Sequence, residues 1–298
     1  MKIDLHMHTT GSDGHGTSKE IVDAAIAAGL DGIAITDHHR TFTDAGDEVA
    51  KLAAESGLVV IRGAEYSTDR GHLLVFLPED MGIEDFDVGF YPDAQALIDA
   101  MVDAGGACIP AHPYKGYQRA WKSTRKLHRI AGVETRNGHV AHDNPKQNQD
   151  AEKDAKASRR HGTGGSDAHW PGEIGVCFTE FQTKFKDQAG FLRALKSGRF
   201  EACTNEELLK KQKRFQSKLP KVTTWRNDDS YWYQPSLDWG NLDREPMDLT
   251  LPSIDDEIDW REEKRRHDRE RKDARKDKRQ FHTLQEFDSF LINRKLRD

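Results

Sequence analysis

The chain opens with Asp4-Leu5-His6-Met7-His8-Thr9-Thr10-Gly11-Ser12-Asp13-Gly14, placing two histidines and an aspartate within reach of one another before any core is built. Side chains at i and i+2 of a strand share a face, so His6 and His8 can both address one metal ion. Asp13 follows in a Gly-containing loop able to curl back. Further along, His38, Glu65, His72, His112, Asp167 and His169 each lie at or next to the end of a stretch that reads as a strand. A histidine at any one of these positions is as readily a surface or core residue; recurrence at successive strand ends is what points to chelation. Imidazole and carboxylate donors together suit zinc, manganese or iron rather than a thiolate-type site. Nine donors are also too many for a single ion.

The elements that must position these residues follow from local signals. Residues 2–6 read as a short strand, and Thr17-Ser18-Lys19-Glu20 is a capping box opening a helical run, Ile21, Val22, Ala25, Ile26, that stops at Gly29. Asp31 to Thr36 reads as a buried strand delivering Asp37-His38-His39, followed by a helix over 44–56. Leu58 to Ile61 leads to Glu65, His72 to Leu77 is another strand, Ala94 to Ala104 a helix, and Ala107 to Pro110 ends at His112. Gly132-Val133-Glu134, a helix over 146–160, Gly162 to Asp167, Val176 to Phe178 and a helix near 187–197 continue the alternation. Strands alternating with helices predict an α/β chain of parallel βα units closed into a barrel. Chemistry in such barrels lies at the C-terminal ends of the strands, where the donors fall.

Composition narrows the setting. No apolar run reaches the length of a membrane span and no basic-then-apolar leader precedes the first strand, so a soluble, cytoplasmic protein is expected. Cys108, Cys177 and Cys203 are widely separated and form no CxxC pair, which argues against a disulfide framework or a thiolate zinc site. The formal net charge of −6 excludes a wholly basic nucleic-acid coat but leaves room for a local basic groove. Near residue 205 the β-branched strands stop, so residues 1–205 are assigned to the barrel and 206–298 to a charged, largely helical or extended C-terminal extension. Trp225, Trp232, Trp239 and Trp260 lie there among Asp, Asn, Pro235 and Pro252, a composition that reads as loosely ordered. The run Arg261 to Arg279 carries both charge signs at helical spacing, as a solvated rod or a basic contact face, and Leu284, Phe287, Phe290 and Leu291 share one helical face. Such an arm could dock the barrel on a protein or nucleic-acid partner.

The motifs Asp4-Leu5-His6-Met7-His8, Ser12-Asp13-Gly14, Ile35-Thr36-Asp37-His38, Gly63-Ala64-Glu65, Gly71-His72, Pro110-Ala111-His112-Pro113 and Gly165-Ser166-Asp167-Ala168-His169 resemble those of the polymerase and histidinol phosphatase (PHP) superfamily, over about residues 1–200. The resemblance implies a distorted, seven-stranded (β/α)7 TIM-like barrel holding two to three divalent metal ions (Mn, Zn or Fe). It implies one metal on His6, His8, Glu65 and Asp167, a second on Glu65, His72 and His112, and a third on Asp13, His38 and His169, with Glu65 bridging and Glu65, His112 and Asp167 central to catalysis. The implied activity is phosphoester hydrolysis at nucleotides or nucleic-acid ends, because clustered cations acidify a water and neutralise phosphoryl oxygens. A histidinol-phosphate-type small-molecule phosphatase is the same-class alternative, and a metal-binding scaffold whose C-terminal arm docks on a nucleic-acid-processing assembly is the other.

Several residues beside the donors carry two readings. Asp37 either orients the neighbouring imidazole of His38 or caps the next helix. Glu134 either lines the site, against substrate or behind a metal ligand, or is structural. Lys115, Arg119 and Arg136 follow strand ends and either bind substrate phosphate or are solvated loop cations. His39 is expected to line the pocket, whereas His15, His139, His142 and His161 are expected at the surface. Gly164-Gly165 lack a phosphate-loop pattern and are expected to permit close approach of the chain.

Overall fold

The computed structural model describes residues 1–89, 91–115 and 121–218. Arg119 and the segment after residue 218, including the Trp-containing stretch, the charged run and the terminal amphipathic helix, lie outside the described residues.

The element order is β1 (Lys2–Asp4), α1 (Ser18–Ala27), β2 (Gly32–Ile35), α2 (Asp44–Ser56), β3 (Val59–Arg62), β4 (Ala64–Ser67), β5 (His72–Phe76), α3 (Ala94–Asp103), β6 (Ala107–Pro110), β7 (Val133–Asn137), α4 (Gly138–Asp143), α5 (Pro145–Ala157), β8 (Gly162–Gly165), β9 (Cys177–Phe181), α6 (Gln188–Lys196), β10 (Phe200–Thr204) and α7 (Glu206–Lys218). The early helices begin where side chains satisfy their first amides. Thr17 and Glu20 form the reciprocal capping box of α1, and Thr43 accepts from the Gly46 amide at the start of α2.

The strands form three ladders: β10-β9-β1-β2-β3, β4-β5-β6 and β7-β8. β1, β2 and β3 run parallel, as do β7 and β8, but β4-β5-β6 and the β1-β9-β10 edge are antiparallel. The expected closed barrel of parallel βα units is therefore corrected to a mixed α/β assembly whose ladders are not continuous. The physical reason is visible at β4 and β5. Only Thr68 to Gly71 separate them, with the Thr68 amide donating to the Gly71 carbonyl at 2.9 Å, and so short a turn can reverse the chain but cannot carry a parallel crossover. Isolated parallel bridges link the ladders instead, Met7 with Ala168 and His38 with Glu65.

Alternation along β2 sends its side chains into two cores. Ala34 joins Ile3, Leu5, Ile61, Phe76, Ile109, Phe181, Phe191 and Phe200, while Ile33 and Ile35 join Met7, Ile21, Val22, Val49 and Leu58 beneath α1 and α2. A strand packed on both faces in this way reads as a continuous apolar run. Asp4 is a buried exception. Its carboxylate accepts from the amides of His6 (3.2 Å), Ser166 (2.8 Å) and Gly175 (2.9 Å), tying β1 to the chain after β8 and before β9, while burial pushes its pKa up to about 6. Helix α7 lies beyond the boundary placed at residue 205, yet Leu209 packs with Ala141, Val176 and Cys177, and Gln212 donates to the Gly172 carbonyl at 3.0 Å. Among the described residues no helix is long and apolar enough to cross a membrane.

Candidate metal centre

The parallel strands β1, β2 and β8 end on one side of the assembly, and the residues that follow them converge there with Glu65 of β4 and His72 of β5. In open α/β sheets, ligands bind outside the carboxyl ends of the strands. Glu65 is the hub. Its Oε1 lies 2.8 Å from both His72 Nδ1 and His112 Nε2, and its Oε2 lies 3.3 Å from His6 Nε2, 3.3 Å from His8 Nε2 and 3.4 Å from His38 Nδ1. Asp13 is the second hub, with Oδ2 at 3.3 Å from His38 Nε2 and 3.2 Å from His169 Nε2, and Oδ1 at 3.4 Å from His8 Nδ1. Asp167 Oδ1 faces His6 Nε2 and His8 Nε2, each at 3.5 Å.

All nine sequence-predicted donors are thus brought together. Their donor atoms resolve into two fourfold groups, His6, Glu65, His112, Asp167 and His8, Asp13, His38, His169, with the atoms of each group within 4.8 Å of one another. His8 falls in the second group by this geometry while its Nε2 still faces Glu65 and Asp167, so it straddles the first and third sets that the resemblance implied. His72 touches the cluster through Glu65.

The donors fit a divalent cation cluster. His6 Nδ1 points at Glu134 Oε1 across 3.0 Å, and because a carboxylate only accepts, that nitrogen carries the proton and Nε2 is left for a metal. His6 Nε2 and His8 Nε2 are buried without a hydrogen-bond partner, an arrangement that is costly unless a ligand completes it. The electrostatics agree. Burial by itself would lower the pKa values of His6 and His8, but Asp167, Glu65 and Glu134 hold His6 well above the usual range, and Asp167, Glu65 and Asp13 hold His8 at about 9. Conversely, burial would raise Glu65 and Asp167, yet His6 and His72 hold Glu65, and Lys115 and His6 hold Asp167, far below the carboxylate range. The backbone is bent to present these groups: His39, His112 and Asp167 adopt φ values of 61°, 28° and 57°, a region that non-glycine residues enter at a cost.

The residues around the donors divide less predictably. Glu134 is buried and orients the cluster: beside His6, its Oε2 accepts from the His112 amide at 2.6 Å and from Asn137 Nδ2 at 3.0 Å. It is therefore placed behind the donors rather than against a substrate. Asn137, which sequence reasoning passed over, also donates to Asp167 Oδ2 at 3.2 Å. Lys115 reaches Asp167 Oδ2 at 2.7 Å and so lies beside the cluster. Arg136 turns away, its guanidinium bonding Glu152 of α5 at 2.9 Å; a register shift between Glu134 and Arg136 breaks the regular alternation of β7, so the two residues do not share a face. Asp37 does not meet the His38 ring. Its carboxylate accepts from the hydroxyls of Thr9 (2.6 Å), Ser12 (2.6 Å) and Thr43 (3.0 Å), bracing the Asp13 loop against the N-cap of α2. His39 is a half-buried pocket neighbour, edge-on to Tyr66, with its pKa lowered to about 4 by burial and the charge on His38. His139, expected at the surface, instead faces the centre. Its Nδ1 is buried without a hydrogen-bond partner 4.0 Å from Asp167 Oδ2, and its ring lies 5.8 Å from His169. The signal that could have found it is its position immediately after Asn137-Gly138, at the end of a strand. Gly165 does permit close approach: a Cβ there would lie 2.5 Å from that of His6.

Fold and site together define a mixed α/β protein with a multi-histidine, multi-carboxylate cluster whose donors could hold divalent cations. A family model described as PHP-associated matches residues 145–200. An uncharacterised protein of Methanocaldococcus jannaschii is 32% identical over 126 residues, spanning 38% of this chain and 68% of that protein. A 5′-3′ exoribonuclease of Haemophilus influenzae is 44% identical over 69 residues, which cover 23% of this chain and 24% of the exoribonuclease. A crystal structure of a two-domain protein from Bacteroides vulgatus, containing a predicted PHP-like metal-dependent phosphoesterase, is similar with a TM-score of 0.53 at 21% identity, covering 70% of this chain and 68% of that one. Residues 145–200 thus match the PHP-associated family, and the fold resembles that of the Bacteroides vulgatus protein.

Proposed function

We propose that this protein is a metal-dependent phosphoesterase that hydrolyses phosphoester bonds of nucleotides or nucleic-acid ends. The observation that carries the reading is the pair of adjoining fourfold donor groups, with two buried imidazole nitrogens that have no hydrogen-bond partner and face carboxylate oxygens 3.3–3.5 Å away. His6, Glu65, His112 and Asp167 would hold one cation, His8, Asp13, His38 and His169 another, and His72 stands beside Glu65 for a third. Cations held there supply positive charge against phosphoryl oxygens and acidify a water molecule.

The chain's own residues supply the rest. Lys115, half-buried with its pKa raised by Asp167, sets an ammonium beside the cluster where it could meet a phosphoryl oxygen. His139 offers its unpaired Nδ1 on the same side of Asp167. Glu134 and Asn137 hold His6, the His112 backbone and Asp167 in place. The local likeness to an exoribonuclease favours a nucleic-acid end over a small metabolite.

The test uses Mn²⁺-loaded protein, with His112→Ala as control, on 5′-phosphorylated RNA and matching DNA, resolving products by mass. Mononucleotides released stepwise from the 5′ end identify an exonuclease, and inorganic phosphate alone identifies a phosphatase. Turnover of neither, or turnover undiminished in His112→Ala, overturns the reading.

A further inference from the structure

The rim of the metal centre carries a pair of aromatic rings that the hydrolytic chemistry does not use. His15 and Trp170 stack with centroids 4.3 Å apart and planes 18° from parallel. They ride on the two loops that supply Asp13 and His169, whose Oδ2 and Nε2 meet at 3.2 Å. The loops are pinned to each other and to the fold. The His15 amide donates to the His169 carbonyl at 2.8 Å, and the amides of His169 and Trp170 both donate to Glu173 Oε2, at 2.9 and 3.0 Å. Within the pair Trp170 is half-buried, whereas His15 is exposed. Trp170 is adjacent in sequence to a donor and His15 two residues from one, so with consecutive Cα atoms about 3.8 Å apart their Cα atoms lie within about 8 Å of those of Asp13 and His169.

A rigid flat π surface beside a cation cluster matches a ligand that couples a phosphate to a planar ring through a short spacer. We propose that His15 and Trp170 form a stacking platform for a nucleobase, seated so that the attached 5′-phosphate faces the metal centre. The proposal rests on the phosphoesterase reading and specifies its substrate class as nucleotides rather than phosphorylated sugars. Every base offers a π face, so the platform selects for the presence of a base and not for its identity.

The matched probes are adenosine 5′-monophosphate and ribose 5-phosphate, which differ by the base alone, offered to the Mn²⁺-loaded full chain. Stacking on one aromatic platform is worth a factor of roughly 5–150 in affinity. His15→Ala is therefore expected to lower the ratio of kcat/KM for adenosine 5′-monophosphate over ribose 5-phosphate by a factor in that range, mainly through KM. His15→Phe, which keeps a flat ring, is expected to restore the ratio. Trp170→Leu gives the same loss if circular dichroism shows it folded, and His15 at the exposed position decides the matter if it is not. A ratio unchanged in His15→Ala, or not restored by His15→Phe, overturns the platform. Should the wild type hydrolyse neither compound, the phosphoesterase reading fails on these substrates separately. Calorimetric titration of the two probes then decides: preferential binding of adenosine 5′-monophosphate that disappears in His15→Ala upholds the platform, and equal binding or none overturns it.

Discussion

Glu134 occupies an unusual position among the acidic side chains at the centre, because its two oxygens are spent on protein donors: His6 Nδ1 on one side, the His112 amide and Asn137 Nδ2 on the other. An amide in its place cannot satisfy both sides. Whichever way a glutamine side chain were turned at this position, its NH2 group would face a donor, leaving His6 or the His112 backbone without an acceptor in a buried setting. Glu134→Gln is accordingly expected to weaken divalent cation binding by roughly 10–100-fold, as loss of a ligand's supporting hydrogen bond does elsewhere, with the far-ultraviolet circular dichroism of the wild type retained. Competition against a chromophoric chelator reads the affinity; an unchanged value would remove Glu134 from the support of the site. The residue also marks a limit of the sequence. Its type and strand-end position were legible, but its partner His6 is 128 residues away, and no local pattern reports a pairing at that range. Asp37 shows the same limit, since its role is decided by three hydroxyls that only the folded loop gathers.

Among the elements, helices were the most legible because their signals are local. The Thr17 capping box and the 44–56 helix stand where the side-chain pattern puts them. Strand pairing was less so. Ala64–Ser67 contributes a single turn-connected strand around Glu65, and nothing in its composition distinguishes the end of a parallel strand from the start of an antiparallel one. The short α4, between Asn137 and Asn144, was hidden behind the stronger helix that follows it. Helix α7 is the element whose attachment can be weighed directly. Leu209 is buried against Ala141, Val176 and Cys177, so Leu209→Ala should destabilise the folded unit by about 2–3 kcal/mol. Lys210→Ala, on the exposed face, should shift it by less than about 0.5 kcal/mol. Urea midpoints at constant m-value measure both; equal effects would mean that α7 does not belong with the strands it touches.

For the molecule as a whole, the crowding of imidazoles and carboxylates links cation binding to protons and to stability. His8 is held at about 9, above its ordinary 6.5, so near neutral pH it must release a proton to bind a cation. Calorimetry in two buffers of different ionisation enthalpy should show proton release on Mn²⁺ or Zn²⁺ binding, and affinity should fall as pH drops below about 9. In chelator-treated protein the raised His8 pKa acts in the opposite sense. Its charge pairs stabilise the fold fully below about pH 6.5, and that contribution is lost as pH rises through about 9. Thermal melts of the chelated form should thus soften over that interval while those of the cation-loaded form do not; parallel curves would refute the linkage. The bridging of separate ladders by donor-bearing segments has one more consequence, which concerns synthesis. His6 leaves the ribosome well before its neighbours Glu134 and Asp167, and the Asp167 amide closes on the His6 carbonyl at 2.7 Å. A nascent chain or a proteolytic fragment that stops short of Asp167 therefore carries an incomplete chelate, and tight retention of cations becomes a report that translation has passed β8 and the residues that follow it.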